Sequence, residues 1–240
     1  MSPGHLLFLM FGFSVCTNYF IYYFFMFGNF TEIIDVSRSL HSGMAIYPGD
    51  HGFELEALKR MPGDTADLSA ISAGLHTGTH VDAPGHFLEG AERIDEVGLG
   101  KFMGEAEVLD FSDFEGQLLS EEVMKEKCEG KDLSGKIAVI KTRNSFSDPN
   151  VFDEEFVGLS GEAAEFLVGC GIKAVAVDGP SVDKFHSGGH NAHHALFNAG
   201  CVIFETLILD KVEEGPYFFI GLPLKIKDGE ASMVRAILLR

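Results

Sequence analysis

The sequence predicts a mixed α+β fold built around a substantial sheet. Six short apolar segments are rich in Val, Ile and Phe and are bounded by Gly, Asp or Pro, as strands commonly are. Only two longer windows carry helix signals, and the spans 87–105 and 142–158 show no helical pattern. Helices are therefore too few for a doubly wound parallel sheet, in which a helix follows nearly every strand.

The six expected strands run from residue 33 to residue 226. They are IIDVS (33–37), AEVLDF (106–111), KIAVIKT (136–142), IKAVAVDG (172–179), CVIFETLIL (201–209) and YFFIGLPLKI (217–226). No linker rich in Pro, Gly or Ser divides them, so we expect residues 31–240 to form a single domain.

Capping signals place the two helices. Ser120 precedes EEVMKEKC, where acids in the first turn and lysines in the last suit the helix dipole. The second window, GEAAEFLVGCG (161–171), ends in glycine before a buried strand. A third, shorter helix is expected to carry His190, His193 and His194 and to end at Gly200.

Residues 1–30 form an apolar segment that stands outside this pattern. No charged residue occurs from Leu6 to Thr31, and the run is long enough to span a bilayer. Three interpretations stay open: a membrane anchor, a cleaved signal peptide, or a segment that is not native, with the functional chain starting at Met26. The signal peptide lacks both a basic n-region and a cleavage site of small residues.

Charge and cysteine content restrict the partners and the compartment. The chain has 36 Asp and Glu against 18 Lys and Arg, an excess that repels nucleic acid. Its four cysteines show no CxxC spacing, which argues against a disulfide framework and a thiolate zinc site. We expect a protein of the cytoplasm that does not bind nucleic acid, with membrane attachment through residues 1–30 as the alternative.

The stretch HTGTHVDAPGHF (76–87) concentrates metal-binding side chains. Gly78, Val81 and Pro84 disfavour a helix here. In extended chain the side-chain period is two, so His76, His80 and Asp82 are expected to share one face. Imidazole and carboxylate together favour Zn²⁺, Mn²⁺ or Fe²⁺, and the absence of thiolate favours an open catalytic site. Surface histidines grouped by chance and a structural metal site are the alternatives.

His86 stands apart from the other three ligand-type residues. Pro84 and Gly85 turn the chain before it, so its ring is expected to approach the same pocket from another direction. A histidine beside a metal but not bound to it is suited to move protons at neutral pH.

A second cluster, HSGGHNAHHALFNAGCVIFE (186–205), adds four histidines and a glutamate. Glu205 lies in an apolar strand, where a carboxylate is costly unless it is paired or bound to a cation. A strand end that faces solvent is the alternative. Spacing alone does not choose a ligand among His186, His190, His193 and His194.

The first stretch resembles the motif HxGTHxDxPxH of the cyclase family of metal-dependent hydrolases, which includes bacterial kynurenine formamidases and isatin hydrolases. Every fixed position of the motif is met. IIDVSRSLHSGMAIYPGD, VDGPSVD and HHALFNAGCVIFETL are similar to further family segments. The resemblance implies the swivelling β/β/α fold with a mixed sheet core, and a homodimer or homotetramer.

The resemblance also implies a two-metal site, usually with zinc and in some members manganese. His76 and His80 would bind one ion, and Asp82 would contact both. His193 would bind the second ion, with Glu205 bridging. His86 resembles the proton donor and acceptor of the family.

The activity that the resemblance implies is hydrolysis of a small amide by metal-bound hydroxide. Cleavage of an aryl formamide is the first choice, and opening of a cyclic amide such as isatin is the alternative. Kynurenine formamidases carry a tryptophan in WPGD that packs on the substrate, and Tyr47 stands at that position here. A metal-binding or sensory protein without catalysis is the rival from another class.

Overall fold

The computed structural model describes residues 30–240, and these residues form strands, three helices and short 3-10 turns. The strands are β1 Ile33–Asp35, β2 Glu54–Lys59, β3 Leu68–Ser72, β4 His80–Asp82, β5 Met103–Phe111, β6 Leu118–Leu119, β7 Ile137–Thr142, β8 Gly158–Leu159, β9 Ala174–Val177, β10 Val202–Glu205, β11 Gly215–Ile220, β12 Ala231–Met233 and β13 Ile237–Leu239. The helices are α1 Glu121–Cys128, α2 Gly161–Gly169 and α3 Asn191–Asn198. The 3-10 turns are Pro84–His86, Leu99–Lys101 and Arg143–Phe146.

Nine strands form one mixed sheet in the order β1-β13-β11-β5-β7-β9-β10-β4-β12. The four central strands β5, β7, β9 and β10 are parallel, and the strands on either side of them pair antiparallel. This mixed sheet with few helices confirms the α+β prediction. Two small sheets, β2 with β3 and β6 with β8, lie outside it.

The two longer helices begin where the sequence predicts. The Ser120 side chain accepts a hydrogen bond from Val123 N, and the Ser160 side chain accepts one from Ala163 N. Each serine satisfies a backbone donor that the first turn of a helix leaves without a partner.

The central strands bury both faces of the sheet, because alternate residues point to opposite sides. On one face Leu109 of β5 packs with Leu167 of α2 and Leu196 of α3. On the other face Val108 packs with Phe219 of β11 and with residues from strands far apart in the sheet. A curled sheet brings such distant strands into one cluster, so the helices are needed on one side only.

Several elements differ from the sequence predictions. The strand expected over 217–226 ends at Ile220, and the one expected over 201–209 ends at Glu205. Thr206, which follows, has φ +63, a backbone conformation that cannot continue a strand. Strands β2 and β3 were not predicted, because their residues are exposed or half-buried and show no buried face.

The expectations for residues 1–29 lie outside the described residues, so the anchor, the signal peptide and the non-native segment all stay predictions. None of the helices within residues 30–240 has the length and hydropathy that a membrane span needs.

Candidate metal centre

Two neighbouring strands supply three of the predicted ligands. β4 pairs antiparallel with β10, and Glu205 lies opposite His80 in the register. His80, Asp82 and Glu205 are all buried. His80 Nε2 lies 3.4 Å from Asp82 Oδ1 and 3.4 Å from Glu205 Oε2. Glu205 is at a strand end, but the alternative that it faces solvent is wrong.

His76 reaches the same cluster from a turn rather than from the strand. The expectation of extended chain before His80 is wrong, because Gly78 has φ +66 and β4 begins only at His80. A side chain at this φ is strained, and a Cβ on residue 78 would also lie 2.5 Å from Leu40 Cδ2, so this turn favours glycine. The turn brings His76 Nδ1 to 2.9 Å from Asp82 Oδ1.

His193 enters the cluster from the first turn of α3, and Asp183 orients it. Asp183 accepts hydrogen bonds from Ala192 N at 2.9 Å and from His193 N at 3.2 Å. The same carboxylate accepts from His193 Nδ1 at 2.5 Å, which directs Nε2 toward the cluster. There His193 Nε2 lies 3.4 Å from Glu205 Oε1 and 3.8 Å from Asp82 Oδ2.

His190 and His194, the other two histidines of this helix region, are not buried in the cluster. His190 precedes the helix with φ 48 and is exposed. His194 is half-buried, and its ring packs edge-on against Phe87 at 5.8 Å between centroids. His193 is therefore the histidine of the 190–194 group whose ring is buried against Asp82 and Glu205.

The arrangement of donor atoms fits divalent cations. His80 Nδ1 donates to Gly78 O at 2.8 Å, so Nε2 keeps its lone pair for a ligand. His80 Nε2 and both carboxylate oxygens of Asp82 are buried and make no hydrogen bond of good geometry among residues 30–240, although His76 Nδ1 lies 2.9 Å from Asp82 Oδ1. Such atoms are costly to bury unless a cation binds them.

Two groups of candidate ligands overlap at Asp82. One is His76, His80 and Asp82, and the other is Asp82, His193 and Glu205; in each group the ligand atoms lie within 4.8 Å of one another. A third group, Asp183 with His190 and His193, shares a residue with the second. Asp183 already accepts three hydrogen bonds from the helix, and this leaves it better suited to orienting His193 than to binding metal.

The electrostatics of the cluster favour positive charge. Burial alone would lower the pKa of His80, but Asp82 and Glu205 outweigh burial and raise it to about 9. Burial also opposes a charged His193, yet Asp183, Asp82 and Glu205 raise its pKa well above the usual value. Burial works against an ionised Asp82 too, and the surrounding histidines hold its pKa well below the usual range. Divalent cations supply the same positive charge once the imidazoles have lost their protons.

His86 lies beside the cluster and belongs to none of the ligand groups within residues 30–240. Pro84 begins the 3-10 turn that carries it, and its ring centroid is 4.2 Å from that of His76 and 6.2 Å from that of His193. Burial lowers the pKa of His86 below its ordinary value, so the ring is neutral at pH 7.

The cluster and His86 line a cavity of about 220 Å³ with an aromatic wall. Tyr47, Phe87, Phe152 and Phe156 contribute to this wall. The Tyr47 ring meets Phe152 edge-on at 5.4 Å and Phe185 edge-on at 5.7 Å. The phenylalanines were not predicted as site residues, because Phe152 and Phe156 lie in a loop that no motif marks.

Asp183 was also missed, and a substitution tests its positioning role. We expect Asp183→Asn to fold and to lower the affinity of the Asp82, His193 and Glu205 group for a divalent cation by roughly 10- to 100-fold, because an amide orients His193 less well than a carboxylate does. Competition with a chromogenic chelator measures this affinity. Equal weakening of cation binding in the His76, His80 and Asp82 group would show that Asp183 acts on the whole fold and not on His193.

Comparison with known proteins identifies the family. The family model described as "Putative cyclase" matches residues 34–184. A kynurenine formamidase of Bacillus cereus is 32% identical over 209 residues, which cover 87% of this chain and 97% of that protein. The kynurenine formamidase of Bacillus anthracis is 32% identical over 206 residues, covering 85% and 96% of the two chains.

Solved structures agree with this fold. A structure from Bacillus stearothermophilus described as a "predicted metal-dependent hydrolase" is 28% identical, with TM-score 0.75 over 87% of this chain and 98% of that one. An isatin hydrolase bound to a product analogue, thioisatinate, has TM-score 0.82 over 95% of this chain and 98% of that one, at 22% identity. The second likeness shows the fold alone. On the motif, the fold and these matches, the chain belongs to the cyclase family.

Proposed function

We propose that this protein is a metal-dependent hydrolase of a small aromatic amide, with an aryl formamide as its first candidate substrate. The observation that carries the proposal is the pair of ligand groups sharing buried Asp82 at the wall of a small aromatic cavity. The kynurenine formamidases that are 32% identical to the chain support the choice of a C–N bond other than a peptide bond.

The proposed ligands divide into two sets around two divalent ions. His76, His80 and Asp82 hold one ion, and Asp82, His193 and Glu205 hold the other. Zinc is the first choice of metal and manganese the second, because nitrogen and oxygen donors suit both. Ions bound there supply an activated water nucleophile at neutral pH and polarise the carbonyl.

His86 moves the proton in this proposal. Its ring is neutral at pH 7 and lies against His76, so it is ready to take up a proton released as water attacks the carbonyl. The same ring then returns the proton to the leaving nitrogen, which departs as a neutral amine.

The aromatic wall orients the substrate. Tyr47 and Phe152 meet edge-on at the cavity that the ligand cluster also lines, and they offer aromatic surface to a flat ring bound there. A cavity of about 220 Å³ suits a small molecule with one or two rings.

The protein is also proposed to be cytoplasmic and to assemble as a homodimer or homotetramer. The three cysteines within residues 30–240 are free, as in a protein of the cytoplasm. Leu55 and Leu58 of β2 and Leu68 and Ile71 of β3 are between 49% and 62% exposed, an apolar surface that a second copy in a homodimer or homotetramer would cover.

A substrate panel tests the function. We expect the purified protein to hydrolyse aryl formamides faster than isatin or simple phenyl esters, and a strong chelator to abolish this turnover. Faster opening of isatin would replace the formamide with a cyclic amide. Bound metal with no turnover on any member of the panel would favour a metal-binding or sensory protein over an enzyme.

A further inference from the structure

Arg38 is a cation in the substrate cavity that the mechanism does not use. Its side chain lines the same cavity as His80, Asp82 and His86. It is half-buried, and its Nε is fully buried without a hydrogen-bond partner among residues 30–240. No carboxylate of these residues lies within ion-pair distance of the guanidinium, whereas Arg235 and Arg240 on the surface both form ion pairs.

The backbone holds Arg38 firmly beside the metal centre. Arg38 N donates to Thr79 Oγ1 at 2.9 Å, and Thr79 Oγ1 donates to Thr206 O at 2.7 Å. Thr79 precedes His80 and Thr206 follows Glu205, so Arg38 is fixed to both strands that carry the ligands. The side chain of Arg38 therefore starts from a backbone position tied to both of these strands.

The negative charge of Asp178 does not account for Arg38. Asp178 acts on the guanidinium through space, but its carboxylate already accepts from Thr142, Asn144 and Ser145. Asp50 and Asp148 at the same cavity are exposed, where water screens their charge, and half-buried Asp153, which also lines the cavity, forms no ion pair with Arg38. A half-buried guanidinium with a buried, unpartnered Nε is therefore left for a ligand.

We propose that Arg38 binds a carboxylate of the substrate, so that the preferred substrate is an aromatic amide with an acidic group away from the scissile bond. The planar fork of a guanidinium matches a carboxylate, and a pair shielded from water is worth more than one on the surface. The inference rests on the proposed amide hydrolysis, and it makes Arg38 a residue that determines specificity.

The test compares the three formamidobenzoate isomers with uncharged formanilide. In the metal-loaded wild type we expect at least one isomer to be preferred over formanilide in kcat/KM by about 10-fold or more. In Arg38→Met we expect this preference to fall by roughly 10- to 100-fold through KM, while formanilide turnover and metal content stay close to wild type. Arg235→Met, which removes an exposed arginine outside the cavity, is the matched control.

A second variant and a binding probe keep the test decisive. Arg38→Lys keeps the positive charge but removes the planar guanidinium, so we expect it to lose part of the preference for the charged isomer. If Arg38→Met does not fold, Arg38→Lys replaces it in the test. Benzenesulfonate, an anion with little affinity for zinc, is expected to bind the wild type about 10-fold or more tightly than it binds Arg38→Met in calorimetry.

Two results would overturn the inference: no isomer preferred over formanilide by the wild type, or an equal loss on charged and uncharged substrates in Arg38→Met. If the wild type cleaves no formamide, the proposed function fails. Calorimetry with benzenesulfonate then tests anion binding by Arg38 without any need for turnover. Unchanged affinity in Arg38→Met contradicts the anion site, and weakened affinity supports it.

Discussion

We expect Asp82→Asn to lose bound metal and to reduce turnover by roughly 1,000-fold or more, because Asp82 belongs to both ligand groups. The amide keeps the size of the side chain but removes the charge that balances the buried histidines. Elemental analysis of the purified variant measures the metal, and the formamide assay measures the turnover.

A variant that removes a ligand from only one of the two groups sharing Asp82 makes this prediction specific. His193→Gln removes a ligand of one group only, so it should keep part of the metal that Asp82→Asn loses. Circular dichroism of both variants establishes that they fold. A folded Asp82→Asn protein with full metal content would contradict a shared ligand at this position.

We expect His86→Gln to retain metal but to lower kcat by roughly 100- to 10,000-fold, the range that a positioned acid–base group contributes. The ring lies 4.2 Å from that of His76 but belongs to no ligand group within residues 30–240. Glutamine can fill the space and form hydrogen bonds, yet it cannot carry a proton between the attacking and leaving groups. Steady-state kinetics at saturating metal measures the loss.

His194→Gln is the matched control for His86, since His194 packs on the same Phe87 ring but lies outside the cavity lining. It should keep turnover near that of the wild type. Full activity in His86→Gln, or loss of metal from it, would remove the proton-transfer role.

The centre of the sheet, the edge strand β1 and the helices were largely predictable from sequence, whereas several short strands of the sheet were not. AEVLDF, KIAVIKT and IKAVAVDG lie at the centre of the sheet, where continuous apolar runs are required on both faces. The short strands β12 and β13 carry no such run, so only pairing with distant segments defines them. Sequence patterns report local burial, whereas β12 at one edge of the sheet and β13 between β1 and β11 depend on long-range contacts.

The ligand cluster was predicted for reasons of different strength. His80 and Asp82 share a face because β4 is extended, as the period-two argument requires. His76 reaches the cluster although that argument fails at Gly78, where the chain turns. For His193, spacing left four histidines open, and only the family resemblance singled out the residue that the structure buries beside Glu205.

The residues that surround the candidate ligands could not be predicted from local sequence patterns. Asp183 orients His193 from ten positions earlier in the chain, and Arg38 reaches the cavity through Thr79. Neither contact joins residues at the regular spacing of a helix or a strand, so sequence periodicity does not reveal it. VDGPSVD was recognised as a family segment, but the role of its last aspartate depends on the fold that brings it to α3.

Titration of the metal-free protein with zinc tests the central claim most directly. Turnover of an aryl formamide, followed against zinc bound per chain, should rise from a negligible level and reach its plateau at two ions, as the two ligand groups sharing Asp82 predict. Full turnover in the metal-free chain would contradict a metal-dependent hydrolase, and a plateau at one ion would contradict the shared two-metal site.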